Sequence, residues 1–124
     1  MKKIFVYLSA SLFSILLTLQ AFAMDFVAGF EDIPLMEGLK QIESDDVAFG
    51  NEETRYLEAQ LVAVRKKNFQ DIKNFYIKTL PQLGWILQES SASFLRFYRE
   101  TDILEINKIS SNPLKISISL KNRN

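Results

Sequence analysis

The chain has 124 residues, 48% of them hydrophobic and 24% charged, with 15 basic and 15 acidic side chains that leave no formal net charge. This composition is typical of a single folded domain and too apolar for a disordered chain. Because cysteine and histidine are absent, disulfides, Cys or His zinc sites, histidine-bound haem, and Ser–His–Asp or Cys–His catalysis are excluded.

The first 23 residues have the pattern of a bacterial secretory signal. Two lysines at the start are followed by a 16-residue run without charge, Ile4–Leu19, and by an Ala-Phe-Ala sequence that ends at Ala23. A membrane-spanning helix is the alternative, but it needs about 20 apolar residues. We therefore expect cleavage after Ala23. The mature protein, residues 24–124, would then have no membrane anchor and would be periplasmic or secreted.

Removal of this signal leaves 13 basic and 15 acidic residues, a net charge of −2. Binding to nucleic acid or to an anionic membrane needs a basic stripe, which a near-neutral domain lacks. We therefore expect no nucleic-acid partner.

The mature chain starts with an apolar lead-in, Met24–Leu39. Gly29, Pro34 and Gly38 interrupt it. This pattern predicts an extended segment with a turn near Pro34, and it allows one helical turn over Leu35–Ile42. An apolar segment of this length must cover another part of the fold.

Two segments after the lead-in predict a β-hairpin. Val47–Phe49 is a short strand candidate, residues 50–53 are typical of a turn, and Thr54–Val64 alternates between two sides. One side of the longer strand carries Leu57, Ala59, Leu61 and Ala63. Arg65–Lys67 then predicts a solvated turn.

The segment Phe69–Leu80 predicts the main helix. Asn68 is suited to cap its start, Asp71 favours the first turn, and Pro81 limits the end. Apolar residues at helical spacing form one stripe: Phe69, Ile72, Phe75, Tyr76 and Leu80. Because so short a helix is not stable alone, the stripe must pack on a sheet.

The remainder alternates with period two and predicts four strands: Trp85–Glu89, Phe94–Arg99, Ile103–Lys108 and Leu114–Lys121. Their short connections favour antiparallel neighbours and therefore a meander. The chain as a whole predicts an α+β domain, in which one main helix packs on an antiparallel sheet of about five or six strands.

Several predicted strands are apolar on both sides, although one helix covers only one face of a sheet. The first predicted face carries Leu95 and Phe97, and the second carries Phe94, Tyr98, Leu104 and Ile106. The second face needs a cover, which the lead-in, a second subunit or a ligand would provide. We expect the lead-in to provide this cover by packing against the sheet or its edge, so that the protein is a monomer.

Acidic side chains gather in three places: Glu31–Asp32, the group Glu43, Asp45 and Asp46, and Glu52–Glu53. Such groups can bind calcium or form the carboxylate pair of a glycoside hydrolase. No calcium-loop pattern accompanies them, so solvated loop acids are the better interpretation.

Two further groups have both a functional and a structural interpretation. The aromatic residues are suited to line a sugar or lipid pocket, but their spacing is more typical of a core: Phe75, Tyr76 and Trp85. Charged residues in the strands are suited to bind a carboxylate, but cross-strand ion pairs explain them more simply: Arg96, Arg99, Glu100 and Glu105. The sequence therefore indicates no catalytic, cofactor-binding or metal-binding residue.

Two motifs, DIPLMEGL at Asp32–Leu39 and FYIKTLPQLGW at Phe75–Trp85, resemble a group of small exported bacterial proteins of unknown function. That group shares D-[ILV]-P-x-x-x-G, a strand hairpin, F-Y-x-x-x-L-P-x-L-G-W at a helix exit, and antiparallel strands to the end. The resemblance covers nearly all of the predicted mature chain. It implies a fold and an exported location, but no catalytic residue.

These features predict a non-enzymatic envelope protein that binds another envelope protein or an apolar ligand and needs no cofactor. The surplus apolar sheet face is the reason. The alternative is a small hydrolase that relies on carboxylates, because histidine and cysteine are absent. Two buried carboxylates facing one cleft would favour the enzyme, and an apolar surface would favour binding. A structural domain without a small ligand is the third possibility.

Overall fold

The computed structural model describes residues 25–42 and 56–123, which form one α-helix and a six-stranded antiparallel sheet. This confirms the predicted α+β class. The strands are β1 (Leu39–Ile42), β2 (Tyr56–Ala63), β3 (Ile86–Ser90), β4 (Phe94–Arg99), β5 (Asp102–Ser111) and β6 (Leu114–Asn122). The helix, α1, spans Phe69–Thr79 and continues into a 3₁₀ turn at Leu80–Leu83. The predicted signal and the predicted strand Val47–Phe49 lie outside the described residues.

The strand order across the sheet is β1-β2-β6-β5-β4-β3. The last four strands in the chain are neighbours in sequence order, which confirms the predicted meander. β2 lies beside β6, with Ala59 opposite Ile118. The two edges of the described sheet are therefore β1 and β3.

The residues after Gly38 form a strand, so the predicted helical turn over Leu35–Ile42 is wrong. β1 pairs antiparallel with β2, and Leu39 lies opposite Ala63. Gly38 has a φ of 88°, a left-handed conformation that costs glycine little and that turns the lead-in into the strand. Pairing with β2 gives backbone N–H and C=O groups of β1 hydrogen-bond partners along the strand. A single helical turn would form fewer hydrogen bonds for the same number of ordered residues, so the strand is favoured.

A capping box starts α1. The side-chain oxygen Oδ1 of Asn68 accepts from the backbone N–H of Asp71 at 3.0 Å, and Oδ2 of Asp71 accepts from the backbone N–H of Asn68 at 3.0 Å. The helix ends at Thr79, one residue before the predicted end. Four residues of the predicted stripe are buried and the fifth, Phe75, is half-buried: Phe69, Ile72, Tyr76 and Leu80.

The core lies between the first face of the sheet and a layer that α1, Trp85 and the lead-in form together. Val27 and Ile33 of the lead-in are each 1% exposed, so the lead-in is part of the core, as predicted. It packs on the same side as the helix, however, and the prediction that it covers the second face is wrong. The sheet contributes Leu39, Ala59, Leu61, Leu95, Phe97, Leu104, Ile106, Leu114, Ile116, Ile118 and Leu120.

The register between β4 and β5 corrects the predicted faces. Leu95 lies opposite Ile106 and Phe97 lies opposite Leu104, and residues directly opposite each other share a face. All of them are 0% exposed, so the placement of Leu104 and Ile106 on the second face is wrong. The other two residues predicted for the second face, Phe94 and Tyr98, do lie there, and both are half-buried.

Candidate functional site

The second face of the sheet is not covered by α1 or the lead-in, and a charged row crosses its middle. Nη2 of Arg96 on β4 lies 3.0 Å from Oε2 of Glu105 on β5, and Nζ of Lys121 on β6 lies 3.0 Å from the other oxygen of Glu105. Arg96 also lies 3.0 Å from Glu89 on β3. The predicted cross-strand pairing is therefore confirmed for Arg96 and Glu105.

The electrostatics of this row keep Glu105 ionised. Burial opposes the charge, but hydrogen bonds from Lys121 and Arg96 outweigh it and hold the pKa of Glu105 below its usual range. A carboxylate that stays ionised at neutral pH has no proton to give to a substrate. Glu105 is therefore suited to stabilising the sheet and not to general acid catalysis.

Arg99 does not join the row, because it lies on the first face. Its Nη1 donates to Oδ2 of Asp32 at 2.6 Å and its Nη2 donates to Oδ1 at 3.2 Å. Nη1 also donates to the carbonyl of Leu83 at 3.0 Å. The carboxylate that Arg99 binds is therefore the chain's own, and this pair accounts for the acid at Asp32. Glu31 is exposed, and the other predicted acidic groups lie outside the described residues.

The predicted aromatic group is confirmed as core at Tyr76, 0% exposed, and Trp85, 1% exposed. The Tyr76 hydroxyl donates to the carbonyl of Pro34 at 2.7 Å, and burial raises the pKa of Tyr76. Phe75 packs edge-to-face on Tyr76, with ring centroids 4.8 Å apart. Tyr76 and Trp85 therefore belong to the core, whereas Phe75 is half-buried and also lines a surface groove.

Strand β3 is the most exposed part of the sheet. All five of its residues are exposed, including Ile86 at 64% and Leu87 at 37%. It pairs with β4 on one side, and no described strand pairs with its other side. At the opposite edge β1 has four residues, and the side chain of Gln41 exchanges hydrogen bonds with the backbone of Ala28. Of the two described edges, β3 is therefore the longer one and the one whose residues are all exposed.

An apolar row on the second face reaches this edge. Ile86 lies opposite Tyr98, and Tyr98 lies opposite Ile103, so the three side chains lie side by side. The guanidinium carbon of Arg123 lies 4.8 Å from the Tyr98 ring centroid. The sequence predicted an apolar second face, but it gave no sign that the strand containing Ile86 is fully exposed at an edge.

Two grooves meet at Lys66 and Lys67, in the turn between β2 and α1. The first, of about 440 Å³, lies between α1 and the lead-in and is also lined by Met36, Asp71, Asn74, Phe75 and Lys78. The second, of about 420 Å³, lies against the turn between β5 and β6 and is also lined by Ala63, Val64, Arg65, Ser111, Asn112, Pro113 and Leu114. The sequence predicted this turn as solvated and did not indicate the grooves.

Within residues 25–42 and 56–123, no group of three or more Asp or Glu side chains is placed to hold a metal ion. In the same part of the chain no helix is long and apolar enough to cross a membrane. Comparison with known proteins gave no matching family model, curated protein or solved structure. The resemblance to small exported bacterial proteins therefore stays a prediction.

Proposed function

We propose that this chain is a non-enzymatic envelope protein, periplasmic or secreted, that binds another protein by adding a strand to β3. The observation that carries the proposal is the exposure of all five β3 residues at an edge with no described strand beyond it. Extended segments of partner proteins add to such edges, where main-chain hydrogen bonds supply affinity and pockets for alternate side chains supply specificity.

The apolar row would supply the side-chain part of this interaction. Ile86, Tyr98 and Ile103 lie together beside the edge, so a strand added to β3 would place alternate side chains next to Ile86. The two grooves of the described part are lined with lysines, which suits them poorly to an apolar ligand. A protein partner is therefore better supported than an apolar small molecule.

The alternative of a carboxylate-dependent hydrolase has less support. Such an enzyme needs one carboxyl group that carries a proton near neutral pH. Glu105 is paired with Arg96 and Lys121, and Asp32 is paired with Arg99. Both carboxylates therefore have a structural role, and they lie on opposite faces of the sheet.

Site-specific cross-linking tests the strand-addition proposal. A photo-reactive amino acid at Gln88, an exposed position in the middle of β3, should cross-link one envelope protein in cells. The matched control is the same amino acid at Ile109 of β5, which is 49% exposed and lies far along the sheet from Ile86. A cross-link to a second copy of the chain, or equal products from both positions, would contradict the proposal.

A point variant separates binding from folding. Ile86→Lys changes a side chain that is 64% exposed, so it should leave the stability within about 0.5 kcal/mol while it abolishes the Gln88 cross-link. Loss of the cross-link in Ile109→Lys as well would show that the effect is not specific to this edge.

The proposed location and oligomeric state have their own tests. N-terminal sequencing of protein from the envelope fraction or medium should start at Met24, and sedimentation should give a monomer of the mature chain. A full-length, membrane-retained product would contradict cleavage of the signal.

A further inference from the structure

Four basic side chains around the two grooves form a surface that we name the basic corner: Arg65, Lys66, Lys67 and Lys78. Elsewhere on the sheet the described arginines and Lys121 have partners, either acidic side chains or aromatic rings, while Lys40, Lys108 and Lys115 have no salt bridge to a described residue. The basic corner differs because four cations lie together around the two grooves. Among the described residues, no salt bridge involves Lys66, Lys67 or Lys78. Three of the four cations of this surface therefore have no salt bridge within the described fold.

The acids near the basic corner offset only part of its charge. Asp71 lines the first groove and caps the helix through the backbone N–H of Asn68, and its one negative charge faces three lysines. Glu37 lies 3.9 Å from Arg65, and the two side chains are 90% and 70% exposed. An ion pair so exposed contributes little to stability, and Glu37 offsets only one of the four positive charges. The overall charge of −2 in the predicted mature chain therefore conceals a locally positive surface.

An exposed apolar side chain lies among these cations. Val64, next to Arg65, is 60% exposed and lines the second groove together with Pro113. Cations beside an exposed apolar residue suit the boundary of a membrane, where phosphate groups and hydrocarbon are both within reach. We propose that the basic corner binds reversibly to the surface of a membrane that contains anionic phospholipids.

The expected strength follows from the number of cations. Each Lys or Arg near an anionic bilayer strengthens binding about fivefold, and the attraction falls off within a Debye length. Four such residues give weak and reversible binding without an anchor, and salt would release the protein. This agrees with the prediction that the mature protein has no stable anchor, and it revises the sequence-based expectation that a near-neutral chain would not bind an anionic membrane.

Vesicle sedimentation of the protein purified after export tests the proposal. The protein should sediment with vesicles of phosphatidylcholine and phosphatidylglycerol at low salt, and should stay in solution with phosphatidylcholine alone or at high salt. The double variant Lys66→Gln/Lys67→Gln should bind the anionic vesicles about 25-fold more weakly, at about fivefold for each cation. The matched control Lys121→Gln/Arg123→Gln removes the same charge at the other end of the strands and should bind like the wild type.

Three results would overturn the proposal. The wild type could fail to sediment with the anionic vesicles, or the two double variants could bind equally weakly, which would make net charge the only determinant. A soluble polyglutamate could bind the basic corner as tightly as the anionic vesicles, which would point to an acidic protein in place of a membrane. Circular dichroism of both double variants checks that they remain folded.

Discussion

The guanidinium carbon of Arg99 lies 4.2 Å from the centroid of the Trp85 ring, while its nitrogens donate to both carboxylate oxygens of Asp32. Arg99 ends β4, Trp85 precedes β3, and Asp32 belongs to the lead-in. The hydrogen bond to Asp32 is the main cause that raises the pKa of Arg99 above its usual value. This junction therefore joins the lead-in to the sheet at the end of the helix layer.

The first prediction concerns the lead-in. Ile33 is 1% exposed, so Ile33→Ala should lower the free energy of unfolding by about 2–5 kcal/mol. Glu31→Ala, an exposed change two residues earlier, should stay within about 0.5 kcal/mol. Urea titration measures both. Similar losses for the two variants would show that the lead-in is not specifically packed, and a chain starting at Lys40 would then fold as stably as its parent.

A second prediction separates the volume of Trp85 from its polar group. Trp85→Ala should cost about 3–5 kcal/mol, because the ring is buried under Arg99. Trp85→Phe should cost clearly less, since it keeps an aromatic ring and removes an N–H that has no hydrogen-bond partner among the described residues. The difference in denaturation midpoint between the two variants is the measurement. Equal midpoints would rule out packing of the ring as the source of stability.

The third prediction concerns α1. Ile72 is 0% exposed, so Ile72→Ala should cost about 2–5 kcal/mol. Replacing a fully buried phenylalanine with alanine costs about 3–5 kcal/mol. Phe75→Ala should cost less, because Phe75 is half-buried. Lys73 on the same helix is half-buried, so the exposed Gln70 is the better control. Gln70→Ala should change the free energy of unfolding by no more than about 0.5 kcal/mol. If Gln70→Ala cost as much as Ile72→Ala, the assignment of the buried helix face would be wrong.

The helix and the meander could be predicted from the sequence because both depend on local patterns. Asn68 and Asp71 form the capping box that their spacing indicates, and the buried positions of α1 follow the 3.6-residue period. The short turns between the last strands leave antiparallel neighbours as the simplest arrangement.

The assignment of sheet faces failed because of one residue in a turn. The sequence predicted strands that end at Arg99 and begin at Ile103, with three residues between them. In the structure Arg99 pairs with Asp102, so the turn has two residues, and a shift of one residue moves every side chain of β5 to the other face relative to β4. The apparent surplus of apolar residues on the second face was largely a result of that shift.

Properties that depend on distant parts of the chain could not be predicted. The strand β1 forms because β2 lies beside it, and the residues of Leu39–Ile42 carry only a weak strand pattern of their own. The exposure of β3 depends on its position at the sheet edge, and the grooves at Lys66 and Lys67 depend on how the lead-in and the β5–β6 turn pack around them.

The last prediction concerns the acid dependence of stability. The pKa of Glu105 is lowered in the folded protein, so Glu105 contributes stability above its unfolded pKa of about 4.3, and this contribution disappears as the pH falls through the lower folded pKa. Glu105→Gln should therefore be less stable than the wild type at pH 7, by about 1–2 kcal/mol, a value between those of exposed and buried pairs. The gap should close in strong acid.

Urea titrations of both proteins at pH 7 and below pH 4 measure this gap. Glu31→Gln, which removes a charge from an exposed side chain, is the control and should stay within about 0.5 kcal/mol of the wild type at pH 7. The side chain of Glu105 is 13% exposed and contacts two cations, so its loss leaves Arg96 and Lys121 without their shared partner. A gap that stays constant with pH would mean that the carboxylate acts through packing and not through its charge.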